Sequence, residues 1–445
     1  PGQRADCRRK WYNWEDTPRR ARLGRALLLF FPRWSILWTT SYTGRCNMHK
    51  YILIPDSFKG TLSARDFCAV AREAIGRADP GAQVLSIPLA DGGEGTVEAF
   101  LAACGGQRIE CPCTGPYGGT APGFYGLLPD GTAVVELAAA AGLPLAGTDL
   151  HPAEATTYGV GQLLLHAARH GARRLLLGLG GSATNDGGAG MLQALGARVV
   201  DDQDCDVAPG LAGLEHVSSI DLTSALRALS GVRIVVLSDV ENPLVGRRGA
   251  LAVFGGQKGL PTDGAEALRR YDSWMVGYGC LLDAAITGVR AQGLLRVPEG
   301  ARTFGSVLGV PGAGAAGGLG AALLALGAEL RSGVETVLDL VGFDERVRDV
   351  DLVITGEGNM DEQSAAGKAP VGVARRAKRY GKPVVAVVGG RAVNLDAVCE
   401  QGIDLVLPIC RKPMGLEQAI DPQEATTNLI CAGEAAARSY DLGRI

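Results

Sequence analysis

Residues 51–93 read YILIPDSFKGTLSARDFCAVAREAIGRADPGAQVLSIPLADGG. The apolar run 51–54 stops at Pro55-Asp56, the pattern of a short buried strand. Ser63-Ala64-Arg65-Asp66 has the form of a capping box, and Phe67, Val70, Ala71, Ala74 and Ile75 then recur at helical spacing. Residues 84–89 make a second strand, ending in Ala90-Asp91-Gly92-Gly93. Strand, helix and strand in that order form a βαβ unit.

The same punctuation returns near the other end of the chain. An apolar strand over 352–354 ends in Thr355-Gly356-Glu357-Gly358. A helix is expected over 371–380, a strand over 383–388 ending in Gly389-Gly390, and another strand over 404–407. Two such regions, one at each end, can share one parallel sheet. The fold class expected is therefore α/β with two domains. One is a Rossmann-like parallel-sheet domain built from both ends of the chain, over 48–95 plus 311–445. The other is an inserted mixed α/β domain over 96–310, with clear strands at 174–179 and 233–237. In open α/β sheets the ligand sits at the carboxyl ends of the strands, so several such loops can converge on one cleft.

Composition narrows the function. At 445 residues the chain exceeds one ordinary core. A net charge of −3 gives no electrostatic reason to expect nucleic acid or a membrane surface as partner. The 64 glycines gather beside Asp, Glu, Ser and Thr, as in loops that approach a ligand closely. Eleven cysteines include one close pair, Cys111-Pro112-Cys113, which is not zinc spacing, so free thiols in a reducing, cytoplasmic setting are expected. The five histidines form no metal-ligand pattern, which argues against a zinc hydrolase. Residues 1–47 stand apart, with four of the five tryptophans and nine arginines but no clean period. Their apolar run 27–31 is too short to span a bilayer. We read them as a disordered extension before Met48, with a targeting peptide as the alternative.

Six stretches carry candidate chemistry. Pro55-Asp56-Ser57-Phe58-Lys59-Gly60-Thr61 lies between a strand and a helix start, where amides and a lysine suit a phosphate; a solvated loop lysine would look the same. In Asp91-Gly92-Gly93-Glu94-Gly95-Thr96 the two carboxylates suit a hydroxyl, a proton or Mg²⁺; the plain alternative is an Asp-Gly turn. The 180–190 stretch, GGSATNDGGAG, surrounds the single acid Asp186 with small residues and hydroxyls, including Gly181, Ser182 and Asn185, as a phosphate or carboxylate cradle would. Asp239 and Asn242 in Ser238-Asp239-Val240-Glu241-Asn242-Pro243 can bind a sugar hydroxyl or a metal, though Asn-Pro also marks turns. Gly312 and Gly314 open a formal G-x-G-x-x-G before a helical stretch at 319–330, without a good strand in front of it. Glu357 and Asp361, with Lys368 as charge partner, complete the set. No G-x-x-x-x-G-K-[ST] and no protein-kinase signature occurs, so any phosphoryl transfer must use a different scaffold.

Together these motifs resemble the bacterial glycerate kinase family. The matching stretches are PDSFKGTLSA (55–64), ADGGEGT (90–96), TTYGVGQL (156–163), GGSATNDGGAGM (180–191), SDVENPLVG (238–246), FGGQKG (254–259), PGAGAAGGLGAAL (311–323) and TGEGNMDEQSAAGKAP (355–370). Ser238 and Gly255 depart from the residues expected there, Cys and Pro. The resemblance implies organic acid phosphorylation with ATP, Mg²⁺ and D-glycerate in a cleft between two domains, the 2-phosphate being the favoured product. It carries Lys59, Asp91, Glu94, Asp186, Asp239, Asn242, Glu357 and Asp361 into the site. For catalysis we expect a carboxylate to accept the hydroxyl proton, Asp186 first and Asp91 second. Lys59 would neutralise the substrate carboxylate or the moving phosphoryl group, and Asp239 would hold Mg²⁺ or order hydroxyls. Oligomeric state is open, a homodimer being one outcome. Two rival readings stand beside this one: an NAD-dependent hydroxy-acid dehydrogenase, and a non-catalytic binding protein for small acids.

Overall fold

The computed structural model describes residues 48–58, 60–89, 92–261, 265–295, 305–366 and 368–442. Residues 1–47, Lys59 and Asp91 lie outside the described residues, and with them the expectations placed there. No helix among the described residues is long and apolar enough to cross a membrane.

Along the chain the strands are β1 (Lys50–Leu53), β2 (Gln83–Ser86), β3 (Gln107–Glu110), β4 (Cys113–Thr114), β5 (Thr120–Ala121), β6 (Phe124–Leu127), β7 (Thr132–Glu136) and β8 (Arg174–Gly178). They continue with β9 (Arg198–Val200), β10 (Ser219–Asp221), β11 (Arg233–Leu237), β12 (Glu329–Arg331), β13 (Leu352–Met360), β14 (Val384–Arg391) and β15 (Leu405–Pro408). The expected parallel sheet is present, in the order β15-β14-β13-β1-β2, with both chain ends contributing. A second sheet runs β12-β11-β8-β7-β6-β3, parallel from β12 to β7 and antiparallel through β6 and β3. It takes β12 from beyond residue 310.

Strand alternation explains how both sheets bury both faces. Tyr51, Leu53, Leu352, Ile354, Val385 and Val387 point to one side of the first sheet, under the helices Ala64–Ala78 and Pro422–Leu442. Ile52, Val353 and Ala386 point to the other. On the second sheet Leu175, Leu177, Ile234 and Val236 pack against the helix Tyr158–Arg169 and its neighbours. Their alternates Val134, Leu176 and Val235 join the same apolar cluster as Ile52 and Val353. One core thus serves both sheets.

Local signals set most boundaries. Ser63 caps its helix, its Oγ accepting from Asp66 N–H at 3.0 Å and donating to Asp66 Oδ2 at 2.6 Å. Two expectations are corrected. The stretch from Thr355 is strand rather than loop: β13 continues to Met360 because Glu357 and Asn359 pair with Val388 and Gly390. The helix expected over 319–330 ends at Ala325, because Gly327 sits at φ +82° and the chain turns into β12.

The helix Ala369–Lys378 is tied to its neighbours by Arg376, which is only 8% exposed. Its guanidinium grips Asp344 at 2.7 and 2.9 Å and also reaches Glu335 at 3.1 Å and Asp339 at 2.5 Å. Arg376→Met should lower stability by about 2 kcal/mol, a modest figure because the three carboxylates stay partly solvated. Arg376 holds the Asp344 carboxyl below the usual range. A depressed carboxyl stabilises the fold above its unfolded value, near pH 4, and loses that contribution as pH falls through the folded one. The gap between wild type and variant in urea titrations should therefore narrow below about pH 4; a pH-independent gap would contradict the assignment.

Candidate active site

Strand ends from both sheets open into one cleft of about 790 Å³. From the first sheet come Asp56, Ser57 and Phe58 after β1, Glu357 to Asn359 within β13, Gly389 and Gly390 at the end of β14, and Ile409 and Cys410 past β15. From the second come Leu179 and Gly180 after β8, and Leu237 to Val240 at the end of β11. Every one of these is at or near a carboxyl end, as the topology requires. Leu416 and Ile420 add an apolar wall beside Ile409.

Glycines let the two sheets meet here. Gly92, at φ +88°, leaves no room for a side chain: a Cβ would stand 2.8 Å from Leu237 O. Gly180 N–H donates to Gly92 O at 2.9 Å, which couples the 92–96 turn to the loop after β8. Glu136, at the end of β7, holds the same turn. Its carboxylate accepts from Val97 N–H at 2.6 Å and Gly95 N–H at 3.1 Å, and burial pushes it up to about 7.

The charged lining centres on Glu357. It is 6% exposed, and its Oε1 finds no hydrogen-bond partner among the described residues. Its Oε2 lies 3.5 Å from Lys368 Nζ. Burial raises the carboxyl, and the Ser364 hydroxyl and Lys368 pull it back. An orphaned carboxylate oxygen in a cleft is an open position for a cation or a donor. Lys368 also approaches Asp361 Oδ1, at 3.6 Å.

Of the residues expected in the site, Ser57, Asp239 and Glu357 line the cleft. Asp239 is exposed, and its Oδ1 accepts from Gly333 N–H at the start of the helix Gly333–Leu340. Glu94 is exposed and Gly181 lies beside the lining residue Gly180. Ser182, Asn185 and Asp186 are buried and do not line the cleft. Asp186 is fully enclosed. Its Oδ2 accepts from Thr157 N–H at 2.7 Å, Thr157 Oγ1 at 2.8 Å and Gly190 N–H at 3.3 Å, and its Oδ1 from Gly188 N–H at 3.1 Å. Burial raises its carboxyl against these four donors.

Asn242 is occupied as a brace, donating to Arg248 O and accepting at its backbone carbonyl from Gly312 and Gly314. Gly312 and Gly314 are themselves packing positions, where a Cβ would meet Leu330 at 2.7 Å and Pro243 O at 2.2 Å. Their G-x-G-x-x-G follows a 3-10 turn, Val307–Gly309, and not a strand. Asp361 organises the turn Glu362–Ala366, accepting from Ser364 N–H. Lys368 stands beside Glu357 and Asp361 as expected, whereas Asp56 and the buried Lys258 went unselected in the sequence, because nothing in a lone Asp or Lys reports its burial.

A cleft fed by glycine-and-acid strand ends, with an apolar wall, is a small-molecule site at the carboxyl ends of an α/β scaffold. A sequence model described as "Glycerate kinase family" matches residues 51–441. Similar proteins include glycerate kinase of Bacillus subtilis (strain 168), 42% identical over 375 residues that cover 84% of this chain and 93% of the relative. Glycerate 2-kinase of Escherichia coli (strain K12) is 39% identical over 398 residues, 88% and 98%. A solved structure described as a glycerate kinase 2 from Salmonella typhimurium LT2 aligns with TM-score 0.74 at 40% identity, over 89% of this chain and 100% of that one.

The chain belongs to the glycerate kinase family. It is an ATP-dependent kinase, with ATP as phosphoryl donor and glycerate as acceptor. The dehydrogenase and non-catalytic readings find no support among these matches.

Proposed function

We propose that this cleft binds ATP and D-glycerate side by side and transfers the γ-phosphoryl group to the 2-hydroxyl. The observation that carries the reading is the meeting of strand ends from both sheets around the Glu357 oxygen that has no partner among the described residues. The apolar wall of Ile409, Leu416 and Ile420 suits the adenine ring. Gly358, Gly389 and Gly390 let phosphates lie close to the backbone. Ser57 and Gly180 face the sugar acid across the cleft. Asp91 is the base, because Asp186 is closed off by four donors and the neighbour of Asp91, Gly92, packs on the ends of β8 and β11. The hydroxyl proton passes to Asp91 as the oxygen bonds to γ-phosphorus; the bond to the bridging oxygen breaks and ADP leaves. Lys59, which follows the lining residue Phe58 in the sequence, neutralises the carboxylate or the moving phosphoryl group.

Mg²⁺ fits this site as a passenger on the nucleotide. The described residues hold no group of three or more His, Cys, Asp or Glu that could hold a metal by themselves, and nucleotide Mg²⁺ needs only one or two carboxylates. Glu357 Oε1 and Asp239 would hold it. When bound, the ion would neutralise charge on the phosphates. We place the enzyme in the cytoplasm, in keeping with nine unpaired cysteines among the described residues.

The product decides the regiochemistry. Incubated with ATP, Mg²⁺ and D-glycerate, the enzyme should feed enolase directly, without phosphoglycerate mutase. A signal that appears only when mutase is added would assign the 3-phosphate instead.

A further inference from the structure

Behind the glycine-rich 180–185 loop lies a lysine for which the reaction above has no task. Lys258 ends the 3-10 turn Gly256–Lys258 and is 2% exposed. Its Nζ donates to Thr184 O at 2.6 Å and to Ser182 Oγ at 3.4 Å. Ser182 Oγ in turn accepts from Thr184 N–H at 3.1 Å, so the amine closes a small ring that fixes the end of the loop. Desolvation pushes the amine down to about 7, with the charge of Asp186 working the other way.

A lysine in this place is costly if it only fills space. Burying an ammonium disfavours folding unless something else requires it, and a methionine of similar length would pack the site without that cost. What the amine does hold is a chain of contacts leading to the cleft. From Ser182 and Thr184 the loop runs back to Gly180, which lines the cleft and donates to Gly92 O at 2.9 Å. Gly92 follows Asp91 in the sequence. The loop is pinned on its other side by Ala183 N–H to Ala141 O and by Leu143 N–H to Gly181 O. Lys258 is the ionisable tie on the remaining side.

We propose that Lys258 is a positioning residue for phosphoryl transfer: its amine sets the 180–185 loop, and through Gly180 and Gly92 the loop that carries the base. The proposal rests on the reading of the cleft given above. It expects an effect on turnover rather than on substrate capture, because misplacement of a reacting group costs rate more than binding.

The test uses Lys258→Met, Lys258→Ala and wild type in the coupled assay, with thermal unfolding alongside. Lys258→Met should lose about 10- to 100-fold in kcat, with KM for ATP and for glycerate within about threefold of wild type. Its melting temperature should stay within a few degrees of wild type, since removal of a buried ammonium offsets the donor lost at Thr184 O. Lys258→Ala should recover part of its kcat when ethylamine or propylamine is added, while Lys258→Met and wild type should not respond. Wild-type kcat in Lys258→Met, or a loss matched by an equal loss of folded protein and no amine rescue, would overturn the proposal. Wild type that fails to phosphorylate glycerate would overturn the reading of the cleft itself, and so separates the two failures.

Discussion

Asp91→Ala should lower kcat for glycerate phosphorylation by roughly 10²–10⁴ and leave the melting temperature within a few degrees of wild type. The size is that of a general base removed from a reaction that otherwise depends on positioning and charge neutralisation. The choice of Asp91 over Asp186 follows from accessibility. A base must reach the proton it takes within hydrogen-bond distance, directly or through one water. Asp186 has no exposed surface, and four donors already occupy it. The residue after Asp91 packs on the ends of two strands that line the cleft. Steady-state kinetics with circular dichroism of the variant checks this. An Asp91→Ala enzyme with near-normal kcat would remove Asp91 from the mechanism and turn attention to Asp56 and Glu357, enclosed acids of the lining.

Asp186→Ala should fail in a different way, by losing stability. The substitution strands Thr157 N–H, the Thr157 hydroxyl, Gly188 N–H and Gly190 N–H in a site without exposed surface. Each unsatisfied buried group costs about 1–3 kcal/mol, and because the costs do not add fully the loss should be about 3–6 kcal/mol. That is a large part of the net stability of a typical fold. Asp186→Asn keeps one acceptor and should lose less. Urea unfolding of both variants measures the effect. If Asp186→Ala unfolds at the wild-type denaturant concentration yet has lost its kcat, the enclosed carboxylate opens to substrate after all, and the base assignment reverts to it.

The two carboxylates show what could be read without coordinates. The pattern of the 180–190 loop singled out Asp186, but a residue type does not reveal which way its oxygens point. Asp186 became a base candidate because it is the one acid among small residues; in the fold those small residues turn their amides onto it. The first sheet was legible because 51–54 and 352–354 are short apolar runs bounded by turn residues. The end of β13 was not, since Thr355-Gly356-Glu357-Gly358 has turn composition and becomes strand through pairing with β14. Gly356 is required there, as a Cβ would stand 2.2 Å from Val387 O. Glu136 and Lys258 were invisible for a related reason: each holds a loop 39 or more residues away in sequence, a relation that only tertiary packing creates.

The apolar cluster that holds Val134, Leu176 and Val235 together with Ile52 and Val353 also bears on how such an enzyme can change. Neither sheet is a module that recombination could exchange, because cutting between them would strip one side from both. Expressed alone, either half would present that layer to water and associate through it. New acceptor preferences must instead arise by point changes in the loops beyond the strand ends, where residues such as Ser57 and Ser238 face the cleft without contributing to the shared interior.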